Sequence, residues 1–314
     1  ERWPAPATAS VGATTPLRAL AGLASYAVTL GVLSVLAARL AAALWYVDPA
    51  RPAGTGRDTA LADSPTADRS PVDRWLGALV PAQSRSVTRK CWWRARRSPF
   101  VVQFAVAPFF FLVFPAQTAL REGSLPPVFA LSAVVAASVA AGSAFTLNPV
   151  GGEGRVLPAV LTSAIDGRAF VAGLALAGSL PGVAVAVALG AGLGVLTGLA
   201  PGTLAVLLAL AAVLPVAATG IAASLGVFFP NFEEKNVAWN FEAVVPSTLA
   251  FVAFYLLFGL VSAPALVGFV LRDGGGSGPP AFLLGAALTA GVAVLLGAAG
   301  FRHASRTVAS YRME

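Results

Sequence analysis

Long apolar runs constrain this chain more strongly than any other feature of its sequence. Hydrophobic residues make up 57% of the 314 residues, charged residues only 11%, and the mean hydropathy is +0.79. A membrane helix needs about 20 consecutive apolar residues, and several runs reach that length. The runs are continuous rather than alternating, which disfavours a β-barrel. The sequence therefore predicts an all-α, polytopic helical membrane protein.

We expect about seven transmembrane helices along the chain. The predicted spans are Leu17–Val47, Phe100–Leu120, Pro127–Phe145, Ala169–Leu199, Thr203–Phe228, Ala243–Leu271 and Pro280–Phe301. Prolines 108 and 115 are expected to kink the second span. The third span is rich in Ala, Ser and Gly, so it should pack closely against its neighbours. This pattern divides the chain into a lead-in with the first span (1–47), a polar cytoplasmic linker (48–71) and a six-helix domain (72–314).

The distribution of basic residues predicts the orientation of these spans. The net charge is +7, and the cations concentrate before Phe100, between the third and fourth spans, and in the C-terminal tail. The loops near Arg121, Ala200 and Arg272 carry little net charge. Cytoplasmic loops are enriched in Lys and Arg, so we expect a plasma-membrane protein with a cytoplasmic C-terminus. Basic residues beside spans favour membrane lipids as partners over nucleic acid.

A basic segment that contains tryptophan precedes the second span. Between Val72 and Pro99 an apolar stretch gives way to an Arg-rich one. Aromatic rings interleaved with cations suit the lipid headgroup layer, so the segment predicts an interfacial helix. The residues expected at the membrane interface are Trp75, Trp92, Trp93, Arg94, Arg96 and Arg97.

A polar, glycine-broken segment from Thr146 to Gly173, which we call the island, lies between the third and fourth spans. Its charged residues are costly in hydrocarbon, so we expect it outside the bilayer on the cytoplasmic side. Apolar residues at near-helical spacing predict a short amphipathic helix over Gly154–Ile165, with Pro158 in its first turn. A carboxylate at the helix start favours the N-terminal dipole by about 0.3–1 kcal/mol. We expect Glu153 there, with its charge projecting into water.

Sequence signatures of catalysis are missing from this chain. No Gly-rich Walker loop occurs. His303 is the only histidine, which excludes a histidine-based zinc site, and Cys91 is the only cysteine, which excludes an internal disulfide. Ser163 and Asp166 have no evident base beside them and fit a cap or turn. We find no acidic residue well inside a span, which disfavours an ion-coupled transporter. The prediction is a chain without catalytic residues, metal or cofactor.

Several short motifs resemble those of a known family. They are Arg-Ser-Pro at Arg97–Pro99, Asn-Pro-x-Gly-x-Glu-Gly-Arg-x-Leu at Asn148–Leu157, Thr-Ser-Ala-Ile-Asp-Gly-Arg at Thr162–Arg168 and Phe-Phe-Pro-Asn-Phe-Glu at Phe228–Glu233. From about Val72 to the C-terminus, the chain resembles permease subunits of ABC-2 type transporters. One departure is that many relatives have a Lys soon after the Arg, where this chain has Ala172 and Gly173.

The resemblance implies a function and a set of partners. The family's usual complement is six spans, and the cytoplasmic loop after the second of these docks on a separate ATP-binding subunit. Carried over to this chain, that ATPase-coupling role falls on Asn148, Glu153, Arg155, Asp166 and Arg168. Such permeases pair, so we expect a homodimer or association with a second permease half. The extra first span suggests the C-terminal part of a double-length permease.

Two other classes of protein remain open from the residues alone. One is an ATP-independent multi-pass transporter or channel, which co-purification with an ATPase would distinguish. The other is an integral-membrane enzyme, for instance a lipid-modifying one, which would need a polar catalytic cluster at the interface. The spans are Ala, Val, Leu and Gly throughout and carry no polar cluster that would select a substrate.

The predicted topology can be tested with single cysteines in a chain whose Cys91 is replaced. Cysteines at Ser124 and Ser277 should react with a membrane-impermeant thiol reagent applied outside intact cells, because both lie in outer turns. A cysteine at Ser163 should react only after the membrane is opened. Labelling of Ser163→Cys in intact cells would reverse the arrangement.

Overall fold

The computed structural model describes residues 80–97, 103–113, 116–117, 119, 123–162, 165–238, 241–274 and 278–311. The chain divides into two compact units, Glu1–Thr59 with Gln117–Leu125, and Ala60–Ala116 with Pro126–Glu314. Every element named below belongs to the second unit. The predicted first span, the 48–71 linker and Trp75 lie outside the described residues.

Five helices are long and apolar enough to cross a membrane, and we label them α3, α5, α6, α7 and α8. They are Val128–Phe145, Gly167–Leu196, Pro201–Phe228, Thr248–Gly274 and Gly278–Ala309, respectively. All five coincide with predicted spans. The mean hydropathy of their most apolar windows lies between 2.0 and 2.5. The helical membrane class is confirmed to this extent among the described residues.

The predicted second span is described only in part and does not form one long helix there. A single α-helical turn, α2 at Gln103–Val106, passes into a 3-10 helix at Ala107–Leu112. Pro108 is the second residue of the 3-10 helix. Proline has no N–H to donate to the preceding turn, so the regular α-helical ladder stops there. The change to a 3-10 helix falls at Pro108, where a kink was predicted; the kink itself stays a prediction, and Pro115 lies outside the described residues.

Two shorter helices and a β-hairpin lie near the island end of the long helices. Helix α1 is Ala82–Arg97, and helix α4 is Leu157–Thr162. The segment between α6 and α7 contains two antiparallel strands, β1 at Glu234–Ala238 and β2 at Phe241–Val244. A register shift falls between Asn236 and Ala238. The sequence assigned no regular structure to this polar segment, so the hairpin was not predicted, while the fold class of the described residues is all-α as expected.

Small residues set the distances between the long helices. A Cβ added at Gly297 of α8 would lie 2.8 Å from Ala217 Cα and 2.9 Å from Ala217 O of α6. One added at Gly285 of α8 would lie 2.9 Å from Pro264 C of α7. Lipid is as apolar as a leucine side chain, so membrane helices associate through this kind of close packing. The third predicted span behaves as expected: α3 is buried along most of its length.

Larger side chains fill the space where the helices diverge. Phe254 and Phe258 of α7 are fully buried, with ring centroids 5.8 Å apart. Phe269 of α7 meets Phe282 of α8 edge-on at 5.0 Å. Thr289 of α8 accepts a hydrogen bond from the Ala265 N–H at 3.0 Å, which joins the two helices at a polar point. Aromatic pairs of this geometry add about 0.5–1.5 kcal/mol beyond their buried area.

Adding one methyl group at the α6–α8 contact should destabilise the fold. Gly297→Ala places its Cβ against backbone atoms that cannot move aside, and overpacking of this kind costs about 1–3 kcal/mol. Gly291→Ala on the same helix is the matched control, because no atom lies within 4 Å of the added Cβ. We expect a lower melting temperature in detergent for Gly297→Ala alone. Equal melting temperatures for the two variants would contradict the packing described here.

Candidate functional site

The island begins with a 3-10 helix and continues as α4. The 3-10 helix is Gly151–Val156, and Leu157 starts α4 directly after it. Gly154 interrupts the path with φ 52° and ψ −131°, a conformation that side chains with a Cβ rarely adopt. The predicted helix over Gly154–Ile165 is therefore confirmed in its middle, but helical structure starts earlier and bends at Gly154.

Glu153 is buried, not projecting into water. Its side chain is 4% exposed, and its Oε2 forms an ion pair with Lys90 Nζ of α1. The expectation of a solvated charge at a helix start was wrong. The physical reason is that a cation from another helix reaches the carboxylate. An ionised carboxylate without such a partner would be expensive to bury.

Lys90 connects the island to two long elements. Its side chain is 42% exposed, and its ammonium lies 5.9 Å from the centroid of the buried Phe170 ring on α5. A cation over an aromatic face at this distance is attracted by the ring quadrupole. One side chain of α1 thus contacts both the 3-10 helix that contains Glu153 and the first turns of α5.

Helix α1 is fastened to α5 by polar bonds as well as by packing. Its buried stripe is Ser84, Val87, Thr88 and Cys91, at spacings that fall on one helical face. Thr88 Oγ1 donates to Gly173 O at 2.9 Å, and Trp92 Nε1 donates to Ala177 O at 3.0 Å. Trp92 was predicted to lie in the headgroup layer, yet its indole N–H is satisfied by α5. The polar end of Trp92 therefore anchors α1 to the protein.

Other predicted interface residues occupy the outer face of α1. Trp93 is 49% exposed, and the Arg97 guanidinium carbon lies 5.4 Å from the centroid of a Trp93 ring. Arg94 and Arg96 are exposed. These four residues are placed where the prediction needs them, while contact with lipid stays a prediction.

Cys91 lies between α1 and the island in apolar surroundings. Burial raises the pKa of its thiol to about 12, with a smaller upward contribution from the Glu153 carboxylate and opposing ones from Lys90 and Arg94. The thiolate is the reactive form of cysteine. Cys91 therefore stays protonated at neutral pH, so it should react little with thiol reagents used to label cysteines elsewhere in the chain.

Asn148 ties the start of the island to the segment after α6. Its Nδ2 donates to Asn231 O at 2.8 Å, and the Asn231 N–H donates back to Asn148 Oδ1 at 3.3 Å. Asn231 Nδ2 in turn donates to Val245 O at 2.9 Å, beside the hairpin. Gly151 is required here, because its Cβ would overlap Asn231 backbone atoms and lie 2.6 Å from Asn148 Oδ1. This reciprocal pair joins two of the motifs that carry the family resemblance.

The five predicted coupling residues do not form one cluster. Asn148 and Glu153 are buried, at 8% and 7% exposed. Asp166 and Arg168 are exposed at the start of α5, where they line a groove between α5, α6 and α8. Asp166 is the N-cap residue of α5, but its side chain makes no capping hydrogen bond. The side chain of Arg155 lies outside the described set.

Sequence reasoning missed two residues of the site, Lys90 and Asn231. Lys90 is separated from Glu153 by 63 positions, and Asn231 from Asn148 by 83. The sequence places Lys90 and Asn231 in polar segments but does not indicate which residue either one contacts. One signal was present in the sequence. Glu153 and Asn148 lie in a glycine-containing stretch next to long apolar helices, and buried polar groups in such a place need hydrogen-bond partners.

The cavity beside Glu153 is too small for a substrate. Its volume is about 60 Å³, and Cys91, Phe104, Asn148 and Glu153 are among its lining residues. Ligand pockets are typically about 300–1,000 Å³. The contacts of Lys90 with Glu153 and of Asn148 with Asn231 connect α1, the island and the segment after α6, and we call these four residues the joint.

Comparison with models of known protein families found no match, and comparisons with curated proteins and with solved structures found none either. The likeness to ABC-2 permeases therefore rests on the sequence alone.

Removing the cation of the buried pair should destabilise the protein. Lys90→Met leaves the Glu153 carboxylate enclosed without its ion pair. Breaking a fully buried pair costs about 3–5 kcal/mol, and the partial exposure of Lys90 reduces this to about 1–3 kcal/mol. The measurement is thermal unfolding in detergent micelles, with Arg96→Met on the exposed face of α1 as the control.

The double variant Lys90→Met/Glu153→Gln tests the same contact from the other side. It removes both charges, so it should recover part of the stability lost in Lys90→Met. A Lys90→Met protein as stable as Arg96→Met would show that the pair does not hold the island in place.

Proposed function

We propose that this chain is the transmembrane permease subunit of an ATP-binding cassette exporter. In this proposal a separate cytoplasmic subunit hydrolyses ATP, and the spans switch between two packings to move a substrate. The observation that carries the proposal is an exposed short helix, α4, held on a joint that connects it to the membrane helices. The chain itself has no Walker loop, which agrees with a division of labour between two subunits.

Helix α4 has the two faces that a docking element needs. Leu157 is buried and Val160 is half-buried against the protein, whereas Pro158, Ala159 and Thr162 are exposed. Val156, just before α4, is 59% exposed. Amphipathic helices bind grooves through exposed positions three or four residues apart. We propose that this outer face contacts the ATP-binding subunit.

The joint offers a route for movement from α4 to the membrane helices. The 3-10 helix that precedes α4 contains Glu153, Glu153 is paired with Lys90 of α1, and α1 is bonded to α5 through Thr88 and Trp92. Asn148 and Asn231 connect the same region to the segment that leads into α7. A push on α4 would therefore act on α5 and α7 together, which is a mechanical role and needs no catalytic residue.

The remaining parts of the architecture follow from the same proposal. The five long helices and the broken segment at 103–112 would make up a six-helix ABC-2 type domain, with the predicted first span as an addition. The end with the island and C-terminal residues would face the cytoplasm, and the permease would act in the plasma membrane. Two such domains would form a pathway, either as a homodimer or with a second permease half.

The test changes the outer face of α4 without touching the joint. Ala159→Glu puts a charge on an exposed position, so membrane abundance and melting temperature should not change. If α4 docks on an ATP-binding subunit, the full chain isolated from its native membrane should carry vanadate-sensitive ATP hydrolysis. In Ala159→Glu that activity should fall at least about tenfold, the effect of about 1.4 kcal/mol of lost binding.

Ser86→Glu is the matched control, because Ser86 is exposed on α1 and lies outside α4. It should keep the associated ATP hydrolysis. Wild-type protein that transports without any associated ATP hydrolysis would overturn the proposal in favour of an ATP-independent transporter. Full retention of ATP hydrolysis in Ala159→Glu would remove α4 as the docking element.

A further inference from the structure

A large groove runs between α5, α6 and α8. Its volume is about 1140 Å³, and its body is lined by apolar or small side chains, including Ala172, Leu176, Val213, Val216, Val294 and Phe301. It lies on the surface of helices that are long enough to cross a membrane. An apolar groove in this position suits hydrocarbon chains.

One end of the groove is cationic. Arg168 of α5 and Arg302 and Arg306 of α8 line it, together with the single carboxylate of Asp166. Three positive charges and one negative charge give a local net charge of +2. All four residues are exposed, and no ion pair among the described residues involves the three arginines. The N-terminus of α5 and the C-terminus of α8 meet at this end, so their opposite dipoles offset each other and the arginines supply the net positive charge.

A buried hydroxyl independently points to a ligand at this end. Ser305 lines the groove and is 8% exposed, yet its Oγ has no hydrogen-bond partner among the described residues. A buried hydroxyl without a partner costs free energy. A rotation of the Ser305 side chain about its Cα–Cβ bond would bring this hydroxyl to an oxygen-bearing group held by the neighbouring arginines.

We propose that this groove binds an anionic phospholipid, with acyl chain along the apolar body and phosphate among Arg168, Arg302, Arg306 and Ser305. Basic pockets between membrane helices bind such headgroups, and the net positive end favours an anionic lipid over a zwitterionic one. A second copy of the chain fits less well. A two-fold interface would bring the same patch from both copies together, so the arginines would face arginines. This proposal does not depend on the transport function.

The experiment titrates purified full-length protein in detergent with phosphatidylglycerol or phosphatidylcholine and follows the melting temperature. Phosphatidylglycerol should stabilise the wild-type protein at lower concentration than phosphatidylcholine does. Arg302→Gln/Arg306→Gln should weaken the effect of phosphatidylglycerol about thirtyfold, as expected for the loss of two cations near an anionic headgroup. Ser305→Ala should weaken it by a smaller factor without lowering the melting temperature of the lipid-free protein.

Arg94→Gln/Arg96→Gln is the charge-matched control on α1. It removes two headgroup-layer cations that do not line the groove, so it should weaken the effect of phosphatidylglycerol by a much smaller factor than Arg302→Gln/Arg306→Gln does. If both double variants lost the same amount of stabilisation by phosphatidylglycerol, the lipid would be responding to the overall positive charge of the protein. That result would contradict binding in the groove. Equal stabilisation by both lipids would overturn the anionic specificity. The same stabilisation by inorganic phosphate would replace the lipid with a free anion. A lipid-independent dimer that Arg302→Gln/Arg306→Gln dissociates would assign the groove to a second copy.

Discussion

A carboxylate enclosed by apolar side chains has to be held by a cation, and Glu153 is held by Lys90. The arrangement of the island depends on this contact. Glu153 belongs to the 3-10 helix that precedes α4, and Lys90 belongs to a helix bonded to α5. Phe170 and Cys91 lie beside the pair, and Arg94 and Asn148 line the same small cavity as Glu153. The ion pair therefore sets the position of α4 relative to the long helices.

The long helices provide the fixed frame for that joint. Helices α6 and α8 touch through Gly220, Gly297 and Gly300, with a Cβ at Gly300 placed 2.5 Å from Gly220 O. At the island end, a Cβ at Gly226 of α6 would lie 2.6 Å from Pro149 Cδ. Residues this close leave little freedom for the chain that follows. The reciprocal bonds of Asn148 and Asn231 then determine how the island leaves α3.

Much of the helical frame could be predicted from the sequence, because hydrocarbon imposes a length and a composition on each span. The five long helices overlap the predicted runs, although α8 continues from the predicted end at Phe301 to Ala309. The joint could not be predicted, because its contacts link positions 63 and 83 residues apart. Periodicity reports on one helix at a time and says nothing about which charged residue meets which. Trp92 shows the same limit. A tryptophan among arginines is typical of a membrane interface, but the indole N–H of Trp92 donates to Ala177 O of α5.

The most direct test of this account is to place a photo-crosslinking amino acid at Ala159 and identify the adducts formed in native membranes. Ala159 lies on the exposed face of α4, and Ala200, at the other end of α6, serves as the control position. If α4 docks on an ATP-binding subunit as proposed, Ala159 forms an adduct with that subunit and Ala200 forms none. Adducts from Ala159 that contain only lipid, in membranes where the protein still transports, would contradict it.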